Sequence, residues 1–159
     1  MTISWFDLRA PETPFAGARR VAELSRGLAD ADFVSVNVDL NAGTRRLIGR
    51  DVFSAMKPSA FLVNASRGAV VDQAALTEAL RTKRIAGAAL DVLDPEPPPA
   101  GEPLLHMSNV IVLPHIGSAT AETRQAMLDC TLDNLIDCLR GEPGRFVVTN
   151  RAGARRGNP

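Results

Sequence analysis

The stretch AFLVNASRGAVVDQAALTEALRTKRIAGAALDV, running from Ala60 to Val92, decides the fold. It opens on the apolar run Ala60–Val63, of the kind that forms a buried strand. Asp72 offers its carboxylate as a cap for a helix reaching about Lys83, with Leu76 and Leu80 on one face. Ile85–Val92 is apolar again and reads as the next strand. Strand, helix, strand at this spacing is the pattern of an α/β domain with a parallel sheet.

The same alternation extends outward on both sides. Upstream, Asp32–Val38 is rich in β-branched residues and reads as a strand. Between it and Ala60, Asp51 stands as N-cap of a helix over Val52–Met56, which Lys57-Pro58 ends. Nearer the start, Ile3–Phe6 and Arg19–Val21 read as short strands around a loop with Pro11, Pro14 and Gly17, and Ala22–Ala29 as a short helix. Downstream, Asn109–Leu113 is the last strand. A long helix follows Ser118 and runs to about Leu139, where Gly141 and Pro143 stop it. Its residues Leu128, Leu132, Leu135 and Leu139 fall on one stripe, expected to be buried. Residues 1–142 thus read as one α/β domain with a C-terminal helix, and 143–159 as a tail whose basic end, 151–159, is expected to be disordered.

Composition narrows the function classes. The 159 residues carry 18 Lys+Arg and 18 Asp+Glu, so the formal net charge is zero. A neutral chain has no field to gather phosphates, which argues against a nucleic-acid partner. No apolar run reaches the length of a membrane span, and MTISWFDLRA lacks a basic-then-apolar signal segment, so no membrane partner and a cytoplasmic location are expected. Cys130 and Cys138 lie on one helix at a spacing that suits neither a disulfide nor a metal knuckle, and no metal site is expected. With His106 and His115 the only histidines and no tyrosine, acid–base chemistry near neutral pH has few candidates.

Ligands of parallel α/β sheets sit beyond the carboxyl ends of the strands. Four segments follow such ends here: Val38-Asp39-Leu40-Asn41, Asn64-Ala65-Ser66-Arg67-Gly68, Leu90-Asp91 through Pro95-Glu96-Pro97, and Leu113-Pro114-His115-Ile116-Gly117-Ser118. They converge on one rim bearing Arg67, Asp91, Glu96 and His115. Singly, each has a plain reading: Arg67 as a solvated loop charge, Glu96 as part of a stiff proline loop, His115 as a helix cap. Together they fit carbonyl reduction. Arg holds a carboxylate or polarises a ketone oxygen through its fork of donors. His gives or takes a proton, and a neighbouring carboxylate favours its charged form. The hydride has to come from a cofactor, because no side chain supplies one.

These motifs resemble the D-isomer-specific 2-hydroxyacid dehydrogenases, and within them the glyoxylate/hydroxypyruvate reductase branch. The resemblance is carried by Ala31-Asp-Phe33, by Phe61 to Asp72, by Ala89-Leu-Asp-Val92 with Pro95-Glu-Pro97, and by Leu113-Pro-His-Ile-Gly-Ser-Ala-Thr120, and it extends from about Ile3 to Asn150. It implies that Arg67 binds the substrate's carboxylate and keto oxygen and that Glu96 and His115 form the proton-transfer pair. It also implies that Ala65 (through its carbonyl) and Asp91 meet the nicotinamide amide, with His115 and Gly117 beside the cofactor. Asp7 falls where an acid binds the ribose hydroxyls of NAD, whereas Arg9 would attract the extra phosphate of NADP; the reading leans to NAD, with NADP as the alternative. Asp39 stands where the family has Pro, near the adenosine side. The implied substrate is a small 2-oxo or 2-hydroxy acid, and the implied assembly a homodimer.

The chain departs from the family at its start. No two glycines are separated by a single residue, so Gly-x-Gly-x-x-Gly is absent, and with it the first strand and first helix of the dinucleotide fold. The expected architecture is therefore an incomplete Rossmann-type parallel sheet flanked by helices, N-terminally truncated. Residues 32–113 keep four parallel strands, residues 1–20 pair weakly or differently, and the edge at Phe33–Val38 is uncovered. Three readings follow: a reductase of 2-oxo acids, a non-catalytic fragment of one, or an NAD-binding module of the corepressor kind.

Overall fold

The computed structural model describes residues 1–7 and 16–146. Arg9, the prolines Pro11 and Pro14, and the tail 151–159 lie outside the described residues. The chain divides into two compact units, Met1–Ile116 and Gly117–Pro159.

The first unit holds, in chain order, β1 (Ile3–Trp5), β2 (Ala18–Arg20), α1 (Leu24–Leu28), β3 (Phe33–Val36), α2 (Arg50–Ala55), β4 (Phe61–Asn64), a 3-10 turn (Gly68–Val70), α3 (Gln73–Arg81), β5 (Gly87–Leu90), a second 3-10 turn (Pro103–His106) and β6 (Val110–Val112). Strands β3 to β6 form one parallel sheet in sequence order, as expected for residues 32–113. Their last residues are in register: Val36 pairs with Asn64, Asn64 with Leu90, and Leu90 with Val112. Every segment that leaves the sheet at this end therefore starts at the same height.

Alternation along the strands explains the core. Val36, Leu62, Ala88 and Leu90 point to the face covered by helices and pack with Phe53 and Met56 near α2 and Leu76 and Leu80 of α3. The other face carries Phe33, Phe61 and Ile111, which are 71, 43 and 64% exposed; the two phenylalanine rings stack at 5.6 Å. β3 is an edge of the sheet.

Residues near the start were expected to pair weakly or differently, but they keep the pairing of strands 2 and 3 of a dinucleotide fold; what is lacking is a strand joining them to the main sheet. β1 and β2 form a separate parallel pair, Ile3 against Ala18 and Trp5 against Arg20, extended by a hydrogen bond from the Val21 N–H to the Trp5 carbonyl (3.0 Å). Arg20 lies over the Trp5 ring at 5.5 Å.

Two helix starts show how caps are chosen. Asp72 caps α3 as expected, its Oδ1 accepting from the Ala75 N–H at 3.1 Å. Asp51 does not cap α2. Gly49 takes that position with extended backbone, and Asp51 sits in the first turn, where a negative charge suits the helix dipole.

The second unit is built on α4 (Ala121–Leu139). Thr120 caps it, accepting from the Thr123 N–H at 3.2 Å. The Glu122 carboxyl is held below its ordinary value by a backbone N–H and by the Thr120 hydroxyl. The expected buried stripe is not buried: Leu128, Leu132, Leu135 and Leu139 are 45 to 79% exposed. Within its own unit α4 uses its polar face. Arg145 pairs with Asp133 (3.0 Å) and with buried Asp137 (3.4 Å), and the Phe146 N–H donates to Asn134 Oδ1 at 3.2 Å. Periodicity specified an apolar face and not a partner for it. Cys130 and Cys138 are free thiols. No helix among the described residues is long and apolar enough to cross a membrane.

Candidate active site

The rim at the carboxyl ends of β4, β5 and β6 is assembled by backbone hydrogen bonds that continue the sheet. The Asp91 N–H donates to the Asn64 carbonyl (2.9 Å), the Leu113 N–H to the Leu90 carbonyl (2.8 Å), and the His115 N–H to the Asp91 carbonyl (3.0 Å). His115 is therefore delivered by the strand register itself.

Glu96 and His115 meet. The ring Nδ1 of His115 lies 3.1 Å from both carboxylate oxygens of Glu96, and both side chains are about two-fifths exposed. With the carboxylate on Nδ1, Nε2 is the ring nitrogen directed to other work. His115 holds φ at 56°, the left-handed region that a non-glycine residue seldom occupies. Its helix-capping reading is displaced by Thr120, which caps α4. His106 instead places Nε2 2.9 Å from the Ala100 carbonyl.

Asp91 holds this conformation from beneath. It is 7% exposed, and its Oδ1 accepts from the Ile116 N–H at 2.7 Å. Its backbone carbonyl and its carboxylate thus grip two successive N–H groups, those of His115 and Ile116. Asp91→Ala is expected to cost about 2 kcal/mol, the range of a charge-assisted hydrogen bond whose buried donor is left unmade. Asp91→Asn, which keeps an acceptor, is expected to cost less. Urea unfolding and amide exchange at Ile116 measure both; equal stability of Asp91→Ala and the parent would remove Asp91 from this role.

Arg67 stands on the neighbouring loop in extended backbone and is exposed. Its Nη1 donates to the Ser66 carbonyl at 2.7 Å, a contact within its own loop. Ala65 beside it is exposed as well. The loop owes its shape to Asn64, which the sequence reading passed over. This 1% exposed side chain donates through Nδ2 to the Arg67 carbonyl (3.1 Å) and accepts at Oδ1 from the Ser66 N–H (3.1 Å) and hydroxyl (2.8 Å). Its one signal in the sequence is a polar residue closing the apolar run Phe61-Leu-Val-Asn.

The remaining expected residues lie on other segments. Asp39 follows β3, in a turn where its Oδ2 accepts from Asn41 Nδ2 (3.1 Å) and its carbonyl from the Thr44 hydroxyl (2.6 Å). Asp7 follows β1, on the two-stranded sheet. Gly117 opens the second unit and is exposed. No group of three or more His, Cys, Asp or Glu suited to a metal occurs among the described residues.

Comparison with known proteins bears on this rim. Glyoxylate/hydroxypyruvate reductase B of Pectobacterium carotovorum is 53% identical over 123 residues, which are 77% of this chain and 38% of that protein. A protein of Thermus thermophilus superimposes with a TM-score of 0.85 at 40% identity, over 94% of this chain and 46% of its own. An NADPH-dependent glyoxylate/hydroxypyruvate reductase of Sinorhizobium meliloti, solved with NADP and malonate, gives a TM-score of 0.79 at 38% identity, over 87% of this chain and 42% of its own. The chain spans less than half the length of each of these proteins. The family model of the D-isomer specific 2-hydroxyacid dehydrogenase NAD binding domain matches residues 1–117, and with it the parallel sheet, its rim and the Glu96–His115 pair: the chain belongs to that family.

Proposed function

We propose that this chain carries the reacting rim of an NAD(P)-dependent reductase of short 2-oxo acids such as glyoxylate or hydroxypyruvate. The observation that carries the reading is the Glu96–His115 pair, ring nitrogen to both carboxylate oxygens at 3.1 Å, at the carboxyl end of a parallel sheet. Its similarity to reductases named for those substrates supports the choice of substrate.

The residues present fit the nicotinamide end of the cofactor. Exposed Ala65 would offer its backbone carbonyl, and Asp91 a carboxylate at the root of the same rim, as acceptors for its amide. His115 borders the same place, and Gly117 follows close behind it in the chain. Asp7 would take the ribose hydroxyls, which favours NAD over NADP, and Asp39 would stand toward the adenosine side. The glycine loop that cradles a pyrophosphate is not among this chain's residues, so the rim addresses the reacting end of the molecule and not its phosphates.

The chemistry the cofactor supplies when bound is a hydride. Arg67 holds the substrate carboxylate through its fork of donors and polarises the keto oxygen. As the carbonyl carbon gains its C–H bond, the oxygen takes the proton from Nε2 of His115. Glu96 balances the imidazolium that must exist beforehand. In the oxidative direction neutral His115 accepts the proton from the 2-hydroxyl group. The protein works in the cytoplasm, and as a homodimer.

Calorimetric titration of the 159-residue chain with NADH and with NADPH tests the reading. Saturable binding, tighter for NADH, followed by turnover of glyoxylate is the expected result. A folded chain that binds neither nucleotide would mean that the rim is idle in this chain by itself.

A further inference from the structure

The loop that carries Glu96 is anchored by a side chain outside the trio. Gln73, the first residue of α3, accepts at Oε1 from the Asp94 N–H (3.1 Å) and donates through Nε2 to Glu102 Oε2 (2.7 Å). The other oxygen of Glu102 accepts from the Leu104 N–H at 3.2 Å, capping the 3-10 turn Pro103–His106, and the Glu102 N–H donates to the Pro99 carbonyl at 2.9 Å. One amide therefore grips the segment 94–102 near both ends, with Glu96 between. The amide's orientation follows from its partners: only its oxygen can receive the Asp94 N–H, and only its nitrogen can donate to a carboxylate.

Glu96 itself needs such an anchor. Its side chain is about two-fifths exposed, as is that of His115, so their tie joins two solvent-accessible groups. Pairs of that kind are weak when each partner must be ordered at its own entropic cost. Tethering the backbone at Asp94 and Glu102 removes much of that cost before the pair forms. The strut also begins on the helix that follows the Arg67 loop, so the carboxylate-binding and proton-handling halves share one base.

We propose that Gln73, braced by Glu102, is a positioning residue that sets Glu96 against His115. The inference rests on the reading of Glu96 and His115 as the proton-transfer pair, and its test needs neither cofactor nor substrate. The imidazole nitrogen resonances of His115 in the full 159-residue chain, recorded at one fixed pH, read whether Nδ1 is engaged by Glu96. Glu96→Gln defines the displacement of the Nδ1 resonance when the partner carboxylate is lost. Gln73→Leu and Gln73→Glu are expected to reproduce most of that displacement and to speed exchange of the Asp94 amide. The exchanged pair Gln73→Glu with Glu102→Gln rebuilds every bond of the strut: a carboxylate at 73 accepts from the Asp94 N–H and from the amide at 102, whose oxygen still receives the Leu104 N–H. It is expected to restore both readouts.

A parent-like His115 Nδ1 resonance in the Gln73 variants would overturn the proposal. So would a Glu96→Gln variant whose imidazole resonances match the parent's, or failure of the exchanged pair to recover. If Gln73→Leu does not fold, the nearly isosteric Gln73→Glu and its rescue carry the test. A chain that reduces no 2-oxo acid yet shows the displacement and the rescue would refute the proposed activity and keep the strut. A chain that turns over with His115 indifferent to Gln73 would do the reverse.

Discussion

Gly68→Ala is expected to lower stability by about 3 kcal/mol, at the upper end of what overpacking costs, and to separate the Arg67 loop from the Glu96 loop. A Cβ at Gly68 would lie 2.1 Å from both the carbonyl carbon and oxygen of Leu93 and 2.7 Å from the Asp94 nitrogen. Those are backbone atoms, so no side-chain rotation relieves the overlap. The two segments would have to part by about 1 Å, and interiors packed at crystal-like density do not yield that far without losing contacts elsewhere. Leu93 is itself buried in the core, and Asp94 carries the N–H that Gln73 receives. The strain therefore reaches the loop that positions Glu96. Gly101 provides the control. Nothing lies within 4 Å of a Cβ there, so Gly101→Ala is expected to stay within about 0.5 kcal/mol of the parent. Urea midpoints followed by far-UV circular dichroism compare the two, and equal midpoints would show that the close approach at Gly68 is unimportant.

Gly68 also shows what a sequence does and does not disclose. The glycine after Arg67 is plain to see, but its reason is a backbone approach by residues 93 and 94, made only when β4 and β5 lie side by side. Local signals were legible. The four apolar runs of the sheet, the Asp72 cap and the extent of α4 are each written within a few residues of chain, where propensity and periodicity act. Glu96 and His115 were also legible as partners, because both follow strand ends and a parallel sheet brings those ends to one rim. Asn64 and Gln73 were not. Each holds a loop through at least one backbone N–H or carbonyl, and such partners leave no mark on the sequence. The stripe on α4 failed for a related reason: four leucines at helical spacing define a face, while burial depends on what the rest of the chain supplies. At β1 and β2 the strands were readable but their pairing was misjudged: the two remain parallel neighbours, as strands 2 and 3 are in a complete dinucleotide fold, and the loss of a strand between them and β3 leaves that pair a separate sheet without undoing it.

If the proposed reduction of 2-oxo acids holds, His115→Asn is expected to lower its kcat by about 10²- to 10⁴-fold, the span of a lost general acid, while leaving stability equal or higher by up to about 1 kcal/mol. The two effects have opposite signs because of the backbone. At φ 56° histidine sits in a region that asparagine enters more readily, and the position is enforced by the grip of Asp91 on the N–H groups of residues 115 and 116. Positive φ alone does not mark a functional residue, since Arg46 and Lys83 share it at 54°. What distinguishes His115 is that the strained backbone holds Nδ1 against a carboxylate. Glu96→Gln should fall short of the full loss, because the imidazole remains to donate from Nε2, and adding it to His115→Asn should cost almost nothing further, as expected for residues that act as a unit. Additive losses in the double variant would mean that Glu96 and His115 act separately. A His115→Asn variant that lost stability along with turnover would mean that the imidazole is there to hold the loop, with the strain serving the fold and not the proton.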